Sequence, residues 1–495
     1  MHKEQNSFRQ IMKATSLFGG VQVFQIIIQV IRSKFVAVLL GPAGMGITGL
    51  LTSTIGVIAG LTNLGLGISA VKDIAAANNT VNETRIATVS IVLQRLVWIT
   101  GTLGMITTLV LSPWLSKLTF GNSEYTIAFV WISITLLLNQ LSTGQLVLLQ
   151  GMRKLQYLAK ANLYGSVLGL IITIPLYYKL GVAGIVPGII VTSVLSLALS
   201  WFFAKKIKIK PLRVSKVRTI AESKIMLTMG FLIGLNGVIS LGESYIVRIF
   251  ISNHGGVADV GLYNAGFVII NTYVGLVFTA MGTDYYPRLS AVSNSNELCK
   301  EAINQQAEIA LLILAPILIA FLVFAKWAII LLYSSQFAAV NAMIYWATLG
   351  MFFKATSWAI AFVFLAKSSR KLFFWSEFAA TVYVLVLNLL GYYYWGLTGL
   401  GLSFFFAYLI YLIQVYVLAK VKFDFDFNRS FMKIFILQFI LALCSFLAVK
   451  FLKQTYPYII GTVLLLISSW YSYIELDKRI GIKELVNSFV KKANK

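Results

Sequence analysis

The chain has 495 residues, of which 58% are hydrophobic and only 12% charged, and its mean hydropathy is +0.83. This composition excludes an ordinary soluble protein and predicts an all-α integral membrane protein with many spans. Two cysteines and two histidines provide neither a metal-ligand set nor a disulfide framework, so we predict no metal site and no cofactor.

The first hydrophobic stretch runs to Leu40, which is too long for a cleaved signal peptide, so we expect this helix to be retained. Apolar runs of about 20 residues between turns or charge clusters predict fourteen membrane spans. The predicted spans lie near residues 15–40, 44–70, 87–112, 125–150, 156–178, 181–204, 225–251, 260–286, 306–333, 339–366, 372–394, 397–419, 431–452 and 457–475.

The basic residues predict the orientation of these spans. With the N-terminus inside, 31 of the 41 Lys and Arg residues fall in cytoplasmic segments and four in outer segments. The positive-inside rule therefore places both termini in the cytoplasm of a bacterium, with the chain in its cytoplasmic membrane. The net charge of +24 is then mostly an inner-face excess that attracts anionic lipids, and it requires no nucleic acid.

Matching glycines predict that the chain contains two parallel repeats of six spans. The aligned pairs are Gly46 with Gly261 and Gly181 with Gly396, both at an offset of 215, and Arg153 with Arg370 at an offset of 217. Chance similarity between glycine-rich turns is the alternative. The predicted domains are an N-terminal lobe (1–204), a basic linker (205–224), a C-terminal lobe (225–420) and an extra helix pair with a basic tail (421–495).

Several cations lie inside predicted spans, where a charge is costly unless it faces a wet or paired interior. Arg32 lies nine residues before Gly41 and Arg248 eight before Gly256, so both are about 12 to 14 Å below a helix end. The predicted members of a cationic cavity for an anionic cargo are Arg32, Arg248, Lys354, Arg95 and Lys34. For Arg95 and Lys354 a structural pair is an equally open interpretation, and Lys326 is close enough to a helix end to snorkel.

Polar residues recur at helical spacing in four spans, where they face the interior or bond neighbouring helices. The predicted polar residues of the cavity are Gln25, Gln29, Asn236, Asn264 and Asn271. Glu243 and Asp284 are the acids that we predict to bind a coupling proton or sodium ion. A salt bridge is an equally open role for Glu243, and the membrane potential is an alternative energy source.

Three blocks resemble Wzx-type flippases, particularly those that move O-antigen and enterobacterial common antigen precursors. The blocks are residues 34–46 (KFVAVLLGPAGMG), 331–337 (LLYSSQF) and 364–377 (FLAKSSRKLFFWSE). The resemblance covers roughly residues 10 to 420. It implies membership of the multidrug/oligosaccharidyl-lipid/polysaccharide exporter superfamily, in which two six-helix lobes form a V around a central cavity.

The resemblance further implies a function and its partners. The expected substrate is undecaprenyl diphosphate carrying an oligosaccharide repeat unit, moved by alternating access, and a polysaccharide polymerase with chain-length machinery would use the product. A multidrug cation antiporter of the same superfamily is one alternative, although it would need more membrane carboxylates. A membrane glycosyltransferase or polymerase is the enzyme alternative, which would need acidic or histidine chemistry in larger loops.

Overall fold

The computed structural model describes residues 2–80, 82–207, 209 and 212–481, and all regular structure in this part of the chain is helical. Lys208, Lys210 and the predicted basic tail 482–495 lie outside the described residues. The helices are α1 (His2–Asn63), α2 (Leu66–Asn79), α3 (Glu83–Phe120), α4 (Thr126–Gly151), α5 (Leu155–Leu180), α6 (Ile185–Ala204), α7 (Lys216–Gly255), α8 (Val257–Val268), α9 (Gly275–Ala291), α10 (Asn296–Leu332), α11 (Val340–Ala366), α12 (Arg370–Phe423), α13 (Arg429–Phe451) and α14 (Tyr456–Ile480).

Nine helical stretches of the described residues are long and apolar enough to cross a membrane. Three of them, of 40, 50 and 54 residues, contain a glycine with positive φ, at which one span ends and the next begins. These glycines are Gly41, Gly181 and Gly396. Together with α7 and the stretch from α8 to α9, the helical segments correspond in number and order to the fourteen predicted spans. The all-α membrane fold predicted from the sequence is therefore confirmed.

The first turn shows why the sequence folds back at these points. Gly41 has φ 66° and ψ −170°, a conformation that glycine adopts without the penalty of a Cβ atom. Pro42 follows in the first turn of the next segment, where its missing N–H removes no helical hydrogen bond. A different break ends this segment earlier than predicted, because Leu64 and Gly65 both have positive φ. The predicted span 44–70 is therefore divided between α1 and α2.

The chain forms two compact units, Met1–Gly261 and Leu262–Lys495. In the first unit, small residues allow close packing of α3 on α4, where a Cβ atom at Gly144 would lie 3.1 Å from Val97. Gln140 of α4 donates to Asn63 and to Thr100, both at 2.9 Å, which satisfies its amide within the membrane region. This unit also contains α7, whereas we predicted a repeat boundary at 205–224. Compact units and sequence repeats need not share a boundary, so the predicted repeat boundary stays a prediction.

In the second unit, α11 packs against α10 and α12, and most of its residues are buried. The extra pair, α13 and α14, packs on α10. Gln438 of α13 accepts a hydrogen bond from Ser468 at 2.6 Å and donates to Ser472 at 2.9 Å. Buried polar bonds of this kind fix the register between two apolar helices. The pair is therefore held to the unit by specific contacts.

Backbone conformations repeat at a constant offset of 215 residues. Gly41 pairs with Gly256 (φ 66° and 87°), and Gly181 pairs with Gly396 (φ 56° and 54°). Arg153 and Ser368, also 215 apart, both have φ 54°, and the backbone hydrogen bonds around them match at the same offset. The predicted alignment of Arg153 with Arg370 was therefore wrong by two residues, because similar basic side chains were matched instead of the turn.

Candidate functional site

Arg32 lies on a partly accessible face of α1. Gln29 is exposed, and Gln25 and Arg32 are half-buried. By contrast, the Ile28 side chain is only 8% exposed. Among the described residues, Arg32 forms no hydrogen bond or ion pair. A guanidinium carries five N–H donors, so a side chain held at this depth without a protein partner is suited to bind an external anion.

Contacts between two turns place Arg32 and Arg248 at the same depth in the first unit. A Cβ atom at Gly46 would overlap the Val257 carbonyl oxygen, and one at Gly261 would overlap the Pro42 carbonyl oxygen. These two close approaches hold the turns at Gly41 and Gly256 at one level. Since the arginines lie nine and eight residues before these turns, their depths agree within about 1.5 Å, the rise of one helical residue.

The two arginines are nevertheless not exact repeat equivalents. At the offset of 215, Arg32 corresponds to Val247, which is 1% exposed, and Arg248 corresponds to Ser33. A shift of one residue rotates a helical position by about 100°, so the match predicted from the sequence holds for depth and not for helix face.

Arg248 is half-buried on α7, and its surroundings differ from those of Arg32. Its Nη1 atom donates to the Ser244 carbonyl oxygen at 2.8 Å and also to the Ser244 hydroxyl. Glu243 is also half-buried, and it has a partner in the structure. Asn236 is the predicted polar residue about two helical turns before Glu243. Its side chain lies outside the described part of the structure. Arg248 is therefore positioned partly by its own helix.

Arg95 and Lys34 have protein partners. Arg95 is exposed, and its Nη1 atom donates to the Val214 carbonyl oxygen at 3.1 Å and to the Thr219 hydroxyl. These contacts attach α3 to Val214 and to the first turn of α7, and they favour the structural role for Arg95 over a role in the cavity. Lys34 is half-buried and also has a partner.

A bidentate ion pair lies at the same end of α3. The Nη2 atom of Arg85 donates to Oε2 of Glu222 at 2.9 Å, and Nη1 contacts the other carboxylate oxygen. This hydrogen bonding from the guanidinium lowers the pKa of Glu222 below its usual value. The start of α7 and the residue Val214 before it are therefore tied to α3.

In the second unit the structure brings together two predicted residues, Lys354 and Asn271. The Nζ atom of Lys354 donates to Oδ1 of Asn271 at 2.6 Å. The same ammonium lies 5.0 Å from the ring centre of Tyr408 and 5.5 Å from that of Phe404. Asn271 belongs to a π-helical turn, Ile269–Tyr273, a feature that often marks functional positions. The lysine charge is thus compensated by one amide oxygen and two aromatic faces.

The remaining predicted residues lie apart from this contact. Asn264 is 8% exposed on α8 and has a partner, and Asp284 is exposed on α9. The structure adds residues that we did not select from the sequence. Phe404, Tyr408 and Tyr411 recur at +4 and +3 on one face of α12, and Tyr411 donates a hydrogen bond to Glu377 of the same helix. The helical spacing of these aromatic residues was the available sequence signal.

Residues 35–342, well over half of the chain, match the family described as "Polysaccharide biosynthesis protein". The chain belongs to this family. The resemblance on which the sequence prediction rested is thereby confirmed at the family level. None of the curated proteins matches the chain significantly.

Comparison with solved structures shows that this chain has the fold of known transporters. An inward-facing multidrug resistance MATE transporter of the MOP superfamily is similar with a TM-score of 0.67 and 17% identity, over 83% of this chain and 96% of that chain. The lipid II flippase MurJ, in an inward closed conformation, is similar with a TM-score of 0.65 and 15% identity, over 94% of this chain and 99% of that chain. A MOP superfamily transporter from Pyrococcus furiosus is similar with a TM-score of 0.56 and 17% identity, over 83% of this chain and 94% of that chain. At these identities the similarity establishes the fold, that of a multi-pass membrane protein.

Proposed function

We propose that this protein is a flippase that moves undecaprenyl-diphosphate-linked oligosaccharide repeat units across the bacterial cytoplasmic membrane by alternating access. The observation that carries the proposal is Arg32, a half-buried guanidinium within a membrane helix that has no partner among the described residues. An unpaired cation at this depth is costly, and a diphosphate would compensate it with a bidentate contact.

The family membership and the shared fold support the same proposal. The family concerns polysaccharide biosynthesis, and one protein of this fold is a flippase for lipid II. Arg248, at the same depth as Arg32, would contribute a second guanidinium to the headgroup. The prenyl chain would stay in the lipid, and the polar residues Gln25 and Gln29 would contact the sugars. O-antigen or a related surface polysaccharide is the proposed end product, made by a polymerase and its chain-length machinery.

The direct test is transport by purified protein in liposomes. A fluorescent undecaprenyl-diphosphate oligosaccharide is placed in both leaflets, and a membrane-impermeant quencher reports which molecules reach the outside. We expect the protein to raise the rate at which protected molecules become quenchable, and Arg32→Ala to remove this increase. An increase that is equally large for a neutral dolichol-like lipid without phosphate would contradict the assigned substrate class.

A multidrug cation antiporter is the second candidate, because the MATE transporter has a similar fold. In the same liposomes, this candidate predicts efflux of an organic cation dye driven by a proton or sodium gradient. Dye efflux without movement of the lipid-linked sugar would support it against the flippase.

We also propose that both termini and the linker 205–224 lie in the cytoplasm, which rests on the distribution of basic residues. Alkaline phosphatase fused after Lys210 should be inactive, and the enzyme fused near Gly255 should be active. Activity of the fusion at Lys210 would reverse the assigned orientation.

A further inference from the structure

Glu377 is an acid inside a membrane-spanning helix that has a neutral hydrogen-bond partner. It lies seven residues into α12, about 10 Å from the end of the helix. Its carboxylate oxygen Oε1 accepts a hydrogen bond from the Tyr411 hydroxyl, which belongs to the other half of α12 beyond the turn at Gly396. A carboxylate at this depth costs several kcal/mol unless a cation or a proton compensates its charge.

No cation among the described residues is paired with this carboxylate. Among the described residues, Glu377 forms no ion pair, whereas Glu308 of α10 contacts Arg479 at 2.7 Å. The helix packed against α12 is α11, and its charged residue is Lys354. The Lys354 ammonium lies over the ring of Tyr408 and donates its hydrogen bond to Asn271, not to Glu377.

Tyrosines lie close to Glu377. Tyr383, Tyr408 and Tyr411 all lie on α12, and Tyr383 is close enough to Glu377 to interact with it electrostatically. The Tyr383 hydroxyl is buried and has no hydrogen-bond partner in the described part of the chain. A buried hydroxyl without a partner costs about 1–3 kcal/mol, so a further donor or acceptor at this position would be stabilising.

The two halves of α12 hold this arrangement in register. Gln414 donates to the Ser376 hydroxyl at 2.8 Å and to the Ser376 carbonyl oxygen at 3.0 Å. Ser376 is the immediate neighbour of Glu377, and Gln414 lies one turn from Tyr411. The hydrogen bonds therefore keep the carboxyl group and the Tyr411 hydroxyl opposite each other.

We propose that Glu377 is a proton-binding site that couples the transport cycle to the proton gradient. In each cycle a proton from water on one side adds to a carboxylate oxygen, which forms an O–H bond and neutralises the charge. Release of the same proton to the other side restores the carboxylate. The coupling rests on the proposed function, whereas the binding of the proton does not.

The first experiment tests proton binding without any substrate. Infrared difference spectra of the purified protein in lipid nanodiscs are recorded while the pH is titrated across neutrality. We expect a protonated-carboxyl band in the wild type and its loss in Glu377→Gln. Tyr411→Phe should keep the band and raise its frequency, because the carbonyl group loses a hydrogen bond. A band that persists in Glu377→Gln would overturn the proposal.

Asp424→Asn provides the matched control, since it removes a carboxyl from the exposed end of the same helix. Asp424 has φ 54°, a conformation that asparagine also tolerates, so the fold should be kept. We expect this variant to retain the band. Loss of the band in both variants would assign it to a general change in α12 and would also overturn the proposal.

The second experiment tests the coupling in the liposome assay. A proton gradient should accelerate translocation by the wild type and by Asp424→Asn, and the acceleration should be lost in Glu377→Gln. Translocation that responds only to a sodium gradient, or equally to protons in Glu377→Gln, would overturn the coupling. If no variant translocates the lipid, the proposed function fails while the infrared result still decides whether Glu377 binds a proton.

Discussion

Arg32 and Lys354 are both cations inside membrane helices, and the two units of the protein accommodate them differently. Lys354 has an amide oxygen at 2.6 Å and two aromatic faces, so the protein itself compensates its charge. Arg32 has no such partner in the described part of the chain. A charge in a membrane span is therefore not by itself evidence of a binding site. The partners of the charge decide whether it stabilises the fold or is available to a ligand.

Arg32→Ala should impair transport strongly. Hydrogen bonds to charged groups contribute about 1.5–3 kcal/mol, so loss of the guanidinium should slow translocation about 10- to 100-fold. Because Arg32 forms no hydrogen bond or ion pair within the described part of the chain, we expect the free energy of unfolding to fall by no more than about 0.5 kcal/mol. Liposome transport and thermal unfolding in detergent measure the two effects separately.

Two further variants control this result. Arg32→Lys should recover only part of the rate, because an ammonium keeps the charge but loses the planar fork of donors. Arg248→Ala should also lose transport, and protein levels must be measured beside it because Arg248 is bonded to Ser244. A destabilised Arg32→Ala protein with a normal rate per folded molecule would show that Arg32 is structural.

The equal depth of Arg32 and Arg248 depends on the close contact at Gly46. A Cβ atom there would overlap the Val257 carbonyl, so Gly46→Ala should destabilise the protein by about 1–3 kcal/mol. Gly56 lies in the same helix, and a Cβ atom added to it would meet nothing within 4 Å. Gly56→Ala should therefore be neutral or stabilising by about 0.5–1 kcal/mol. Thermal unfolding compares the pair, and equal stability of both variants would contradict the close approach of the two turns.

The sequence predicts the spans well because membrane thickness and glycine turns act locally. Gly41, Gly181 and Gly396 were readable as turns, and apolar lengths fixed the helices between them. Side-chain partners were not predictable in the same way. Arg95 bonds Val214, 119 residues away, and Glu377 bonds Tyr411 across a hairpin. Such pairs depend on how helices rotate and pack, which the helical period alone does not specify.

For Lys354, the structure predicts an effect on stability. Lys354→Met removes the hydrogen bond to Asn271 and leaves its amide oxygen unpaired, so the protein should be less stable by about 1–3 kcal/mol. A double-mutant cycle with Asn271→Leu should recover part of the loss, since no polar group then remains unsatisfied. Strictly additive losses in thermal unfolding would show that the two side chains do not interact.

The Arg85–Glu222 ion pair should contribute little to stability, because both side chains are paired but accessible to solvent. The side chains are 38% and 19% exposed, so solvent screening limits the coupling to at most about 1 kcal/mol. The guanidinium lowers the pKa of Glu222, so the pair stabilises the folded state above the usual glutamate pKa. The contribution is lost as the pH falls through the lowered value. Glu222→Gln should therefore lower the midpoint of thermal unfolding slightly at neutral pH and not at strongly acidic pH. A difference that persists unchanged at acidic pH would mean that packing of the side chain, and not its charge, ties the linker to α3.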